Sequence, residues 1–71
     1  MDPKILQSRL TAKPFQPFKI QTTRAAEYDV ADPSTVLLTT QTLYIGYNID
    51  TSIGIPKDTH AVPVVQIARI I

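Results

Sequence analysis

The sequence predicts a mainly β domain: a small, five-stranded, strongly bent antiparallel barrel with an N-terminal α-helix. Three observations indicate this fold. From Leu43 to Asp50, apolar side chains recur at every second position, as in a strand buried on one face. Shorter alternating runs lie on both sides of this segment, and prolines end or interrupt them. A chain of 71 residues is also sufficient for one domain and no more.

The first predicted element is a helix over about Pro3–Ala12. Asp2 can cap it, because its carboxylate accepts the free backbone N–H groups of the first turn, and a proline suits the first helical position. Ile5, Leu6 and Leu10 form an apolar stripe at helical spacing. We expect this stripe to pack over one end of the sheet.

Strands are predicted beyond the connector Pro14–Phe18, whose two prolines exclude a helix and whose two phenylalanines are expected to anchor it to the core. Their expected positions are about residues 18–23, 27–39, 42–50, 60–62 and 67–71. The second strand is expected to bend at Asp32–Ser34 and continue, since such a bend lets a small sheet curl onto itself. We expect Thr51–Thr59 to be the longest loop, and Pro63–Gln66 to be a tight helical turn.

The composition favours self-association. Hydrophobic residues make up 44% of the chain and charged residues only 18%, where about a quarter is usual. There is no cysteine, so neither a disulfide nor a thiolate metal site adds stability. Strand edges near the end of the chain are the candidate interface, because a second copy would cover their unpaired backbone groups. The candidate interface residues are Val62, Ile67, Ile70 and Ile71. The alternative is a monomer with a nearly neutral surface.

One helix, five short strands and a proline-initiated turn before the last strand together resemble the Sm-like barrel. Pro14–Ile20, which reads Pro-Phe-Gln-Pro-Phe-Lys-Ile, and Tyr28–Pro33, which reads Tyr-Asp-Val-Ala-Asp-Pro, also resemble a family of small uncharacterised bacterial proteins with a Pro-Phe-x-Pro-Phe connector. The resemblance covers nearly the whole chain and implies a fold rather than an activity. We therefore expect a homo-oligomeric assembly or interaction module.

No catalytic, cofactor or metal site is predicted. Glu27 and Asp29 are expected on a solvent-facing strand face, whereas a general acid needs a desolvated carboxyl group. His60 is the only histidine, and no carboxylates lie at ligand spacing from it, so we expect an ordinary polar residue at a strand end. Gly46 and Gly54 are the only glycines, which excludes a phosphate-cradling loop. Within a strand, Gly46 predicts a bulge or a close backbone approach.

A single-stranded RNA- or DNA-binding protein is the alternative function. The resemblance implies that the loops Thr39–Thr42 and Val62–Gln66 would carry the contacts, although neither has the Asp/Asn or Arg-Gly character of RNA-binding Sm-like proteins. The candidate contact residues are Thr40, Gln41, Thr42 and Tyr44, which offer hydrogen bonds and one stacking surface. The net charge is +1 and the basic residues are scattered, which is not the pattern of a duplex-binding or anionic-membrane-binding surface.

Two further expectations concern partners and location. A monomeric domain that captures a peptide along a sheet edge is a third functional class. No apolar stretch approaches the ~20 residues that span a bilayer, and the N-terminus does not have the pattern of a secretory signal. We therefore expect a soluble, cytoplasmic protein.

Overall fold

The computed structural model of the chain, residues 1–71, contains one α-helix and two three-stranded antiparallel sheets. The elements are α1 (Pro3–Thr11), β1 (Phe18–Thr22), β2 (Glu27–Val30), β3 (Val36–Leu38), β4 (Thr42–Asp50), β5 (Ile55–Pro63) and β6 (Ile67–Ile70). Single turns of 3-10 helix, Pro33–Thr35 and Val64–Gln66, connect β2 to β3 and β5 to β6. The first sheet has the strand order β2-β1-β6, and the second has the order β3-β4-β5.

The prediction of a five-stranded barrel is wrong, because neither sheet closes on itself. The expected second strand, residues 27–39, is two strands that belong to different sheets. The 3-10 turn between them is held by Asp32, whose carboxylate accepts from the Ser34 backbone N–H at 2.9 Å and from the Ser34 hydroxyl at 2.8 Å. These local bonds compete with strand pairing, so the chain turns instead of continuing as one bent strand.

The prediction of a long loop over Thr51–Thr59 is also wrong. β5 begins at Ile55 rather than at residue 60, and it pairs with β4 from Thr42↔Pro63 to Asp50↔Ile55. Only the turn 51–54 remains between the two strands. The misleading signal was Pro56, which lies within β5 opposite Ile49, although it has no backbone N–H to donate to β4.

The hydrophobic core lies between the two sheets and under the helix. β1, β2 and β6 supply one side of it, β4 and β5 supply the other, and the 3-10 turn before β6 adds one valine. Its members are Leu6, Phe18, Ile20, Val30, Leu43, Ile45, Val62, Val64 and Ile67. Only ten of the 71 residues are buried, so this core is small for the length of the chain.

The structure confirms the N-terminal helix and its cap. The Asp2 carboxylate accepts from the Lys4 backbone N–H at 2.9 Å, and the helix ends at Thr11. The predicted stripe is only partly buried. Leu6 is fully enclosed and Leu10 packs against the core, but half of the surface of Ile5 is exposed. Leu6 is therefore the one fully buried side chain of the helix.

The far end of β4 departs from the expected pattern. Tyr47 and Ile49 were predicted on the apolar face, yet both are exposed. The β3–β4 pairing stops at the pair Val36↔Ile45, so beyond Ile45 β4 has only β5 beside it. Asn48 has a positive φ of 55°, which interrupts regular alternation within this end of the strand.

Gly46 is the site of a close approach, as its position within a strand predicted. A Cβ atom at Gly46 would lie 2.5 Å from Cγ of Pro56 and 2.8 Å from the carbonyl oxygen of Thr35. No side chain fits this space without moving the backbone of the 3-10 turn or the ring of Pro56. Gly46 therefore lets the second sheet pack against the connection between β2 and β3.

Replacing Leu6 with Ala should lower the free energy of unfolding by about 3 kcal/mol, because it leaves a cavity where a side chain is fully enclosed. Ile5→Ala is the matched control on the same helix turn and should change that free energy by less than about 1 kcal/mol. Urea denaturation followed by circular dichroism measures both. Equal effects of the two substitutions would contradict the packing described for the helix.

Substitutions at the two glycines should show opposite dependence on side-chain size. At Gly46, Ala should destabilise the fold by about 2 kcal/mol and the larger Asn by more, because the space is filled. At Gly54, which has a φ of +72° and open space around it, Ala should destabilise by about 1 kcal/mol and Asn by less. Urea midpoints compare the four variants. Better tolerance of Asn than of Ala at Gly46 would contradict the close packing at this position.

Candidate interaction surface

The longest unpaired strand edge of the protein belongs to β5. This strand pairs with β4 on one side and with no strand on the other. The Val64 N–H donates to the Gln41 carbonyl oxygen at 2.8 Å. This bond extends the β4–β5 pairing by one residue pair and shows which residues of β5 direct their backbone groups toward β4. Bonded pairs alternate along an antiparallel pair of strands, so the backbone groups of Val62 and His60 face β4. Those of Lys57, Thr59 and Ala61 therefore point away from the sheet. We call the segment Lys57–Ala61 the free edge of β5.

The other three edge strands are shorter or less regular. β2 has four residues, and two of them are the carboxylates Glu27 and Asp29. β3 has three residues. β6 has four, and its pairing with β1 shifts register opposite Gln21 and Thr22. β5 has nine residues and keeps one register along its whole length. It is therefore the edge best suited to receive another strand.

His60 in the middle of β5 contacts two tyrosine rings, one from its own sheet and one from the first sheet. The imidazole of His60 stacks on the ring of Tyr47, with centroids 4.1 Å apart and planes 12° apart. It also meets the ring of Tyr28 from β2 in a tilted arrangement at 4.9 Å. His60 therefore lies in the middle of β5, not at a strand end as predicted. The ring contacts orient β5 and leave its far edge facing outward.

Glu27 and Asp29 lie on the outer face of the first sheet, as predicted, and both are exposed. The ammonium group of Lys19 lies 3.7 Å from a carboxylate oxygen of each. No three His, Cys, Asp or Glu side chains are grouped closely enough to hold a metal ion. The two carboxylates thus form a solvated ion-pair cluster with one lysine.

An apolar depression of about 410 Å³ opens beside the free edge of β5. Leu37 of β3 and Tyr44 of β4 line it on the outer face of the second sheet, and Pro56 and Thr59 line it from β5. Leu37 is well exposed. A strand added along β5 would therefore extend a sheet whose outer face is already partly apolar.

Most of the predicted interface side chains are inside the molecule. Val62 and Ile67 are 3% and 2% exposed and belong to the core, so their side chains cannot contact a partner. Ile70 is partly buried against the core. Ile71 is the one exposed member, and its N–H donates to the Lys19 carbonyl oxygen at 2.8 Å. The burial of Val62 and Ile67 excludes side-chain contacts only, because an edge is made of backbone groups, and an interface along the strand edges near these residues stays a prediction.

The residues at the free edge of β5 were missed in the sequence. Thr59 and Ala61 are small, and they alternate with His60 and the buried Val62. That alternation was a usable signal, but the proline at position 56 suggested a loop. The edge itself has no sequence signature, because any residue except proline supplies the same backbone groups.

The candidate nucleic-acid contacts do not form one site. Thr40, Gln41 and Thr42 line a depression beside Met1 and Val65, whereas Tyr44 lines the separate depression near β5. The loop is a tight turn closed by its own hydroxyl, since Thr39 Oγ1 accepts the backbone N–H groups of Gln41 and Thr42. Lys4 is the one basic residue in the depressions that this loop lines.

Asp50 organises the turn that joins β4 to β5. Its carboxylate accepts the Ser52 hydroxyl at 2.6 Å and the Ser52 backbone N–H at 3.0 Å. These two hydrogen bonds, in that order of importance, hold the pKa of Asp50 below its ordinary value. The Ser34 backbone N–H and then the Ser34 hydroxyl do the same for the pKa of Asp32. The turn leaves Ile53 exposed at its tip.

Replacing Ser52 with Ala should raise the pKa of Asp50 toward its ordinary value. A carboxyl group whose pKa is lowered by folding stabilises the fold above its unfolded-state pKa, and this contribution is lost as the pH falls through the folded value. Titration of the carboxyl carbon by NMR measures the shift. Ser34→Ala is the control and should move the pKa of Asp32 while leaving Asp50 unchanged. An unaltered Asp50 titration in Ser52→Ala would show that the turn is not held in this way.

The structure contains no helix with the length and apolar character to cross a bilayer. The sequence matches no known family model, and neither a curated protein nor a solved structure is detectably similar to it. The free edge of β5 and the apolar depression beside it are therefore the features on which a functional proposal can rest.

Proposed function

We propose that this chain is a non-enzymatic interaction module that associates with copies of itself through its exposed strand edges, in the cytoplasm. The observation that carries the proposal is the nine-residue edge strand β5, which presents unpaired backbone groups on one side. Unpaired N–H and C=O groups along a regular edge are a template for another strand. A second copy of the same chain is a partner that is always present with it.

The small core supports the same proposal. Short domains bury a smaller fraction of their surface than long ones, and they commonly gain stability from disulfides, metals or oligomerisation. This chain has no cysteine and no grouped metal ligands. Several large apolar side chains are exposed, namely Leu37, Ile49, Ile53, Ile55 and Val65. Association with a second copy would remove part of this surface from water and stabilise the fold.

The mass of the protein in solution should exceed that of one 7.9 kDa chain at micromolar concentration, because association covers an edge that is open in the single chain. Light scattering coupled to size-exclusion chromatography measures this mass over a concentration series. A single-chain mass at every concentration would overturn the proposal. It would leave capture of a peptide along the edge as the better account.

Three matched Ala→Lys substitutions show which edge is used. Ala61→Lys places a charge on the edge of β5, Ala68→Lys places one on the edge of β6, and Ala12→Lys places one at the end of the helix. All three alanines are exposed, so the fold should tolerate each change. At least one edge variant should shift the mass toward the single chain, and Ala12→Lys should not. Equal behaviour of all three would contradict association through strand edges.

A further inference from the structure

We propose that β5 pairs antiparallel with β5 of a second copy, about a two-fold axis at Thr59. This inference rests on the proposed self-association and adds to it the partner strand, the symmetry and the register. The pairing would join two copies of the second sheet into one six-stranded sheet with the order β3-β4-β5-β5-β4-β3. Such an interface is isologous, because the same edge contributes from both chains.

The backbone limits the registers available to this pairing. Lys57, Thr59 and Ala61 point their N–H and C=O groups away from β4, so these residues must face one another across the new interface. Three central registers satisfy this condition. They place Thr59 opposite Lys57, opposite Thr59 or opposite Ala61 of the second copy.

The charges on β5 select among the three registers. With Thr59 opposite Thr59, each Asp58 lies opposite His60 of the second copy, so a carboxylate acceptor faces an imidazole donor twice. With Thr59 opposite Lys57, the two Asp58 carboxylates face each other, which is destabilising. With Thr59 opposite Ala61, Asp58 faces the valine at position 62 and gains no partner. The symmetric register at Thr59 is therefore favoured.

The existing contacts of these two side chains are compatible with the pairing. Asn48 Nδ2 donates to Oδ2 of Asp58 at 3.3 Å, and Oδ1 is not engaged in a hydrogen bond. The ring of His60 is held by its stack on Tyr47, so it loses little rotamer freedom when it gains a partner. Asp58 and His60 lie on the same face of β5 because they are two residues apart.

Prolines limit the length of the pairing. In the favoured register, Pro63 lies opposite Ile55 of the second copy, and it has no N–H to donate. The reciprocal pair of hydrogen bonds is therefore incomplete at that position, and fully bonded pairs are confined to the free edge, Lys57–Ala61. Because the two-fold axis uses this edge on both chains, the association closes at a dimer and does not extend into a filament.

Disulfide cross-linking between single-cysteine variants tests the register. The chain has no cysteine, so an introduced thiol is the only one present. Under mild oxidation, Thr59→Cys should form a covalent dimer in high yield, because directly opposed Cα atoms lie about 5.5 Å apart, within the range of a disulfide. Lys57→Cys alone should not, since the two copies of that position would be about 14 Å apart along the strands.

An equimolar mixture of Lys57→Cys and Ala61→Cys supplies the matched positive control, because the register places these positions opposite each other. The mixture should cross-link, whereas each variant alone should remain uncoupled. Cross-linking of Lys57→Cys or Ala61→Cys alone, or failure of Thr59→Cys, would overturn the inference. The mass of the unmodified protein separates the two proposals. A dimer that fails the cross-linking test refutes this register only, whereas a single-chain mass refutes self-association itself.

Discussion

The register between β4 and β5 is the constraint on which the rest of the structure depends. It places Leu43 opposite Val62 on the core face, and it brings Pro56 to the surface of Gly46. In the same pairing, β4 covers one edge of β5 and no strand covers the other edge. The β4–β5 pairing therefore determines both how the second sheet packs and which edge of β5 is exposed. A shift of one residue would exchange the buried and exposed faces of both strands.

Local patterns in the sequence were sufficient to predict most elements. The cap at Asp2 predicted the helix, and β4 was predicted over the residues it occupies. Pro33 is the first residue of one 3-10 turn, where its ring suits helical geometry, and Pro63 directly precedes the other turn in an extended conformation. These features depend on interactions between residues that are close in the chain, so alternation, capping and proline geometry report them directly.

Local patterns did not predict that the strands form two open sheets, or which strand edge is left unpaired. Whether β2 and β3 form one strand depends on competition between strand pairing and the hydrogen bonds of Asp32, which the alternating pattern does not reveal. The start of β5 was hidden because Pro56 lies within it, and a proline in an alternating run argues against a paired strand. An edge exists only relative to the whole sheet, so apolar residues such as Val62 and Ile67 suggested an interface and turned out to form the core.

Concentration-dependent amide hydrogen exchange tests most directly whether the free edge of β5 meets a second copy. The N–H groups of Thr59 and Ala61 have no acceptor on their own sheet, whereas those of His60 and Val62 face β4 and serve as internal references. We predict that exchange at Thr59 and Ala61 slows as the protein concentration rises, until it approaches that of the references. Fast exchange at both positions at every concentration, beside protected references, would contradict the account.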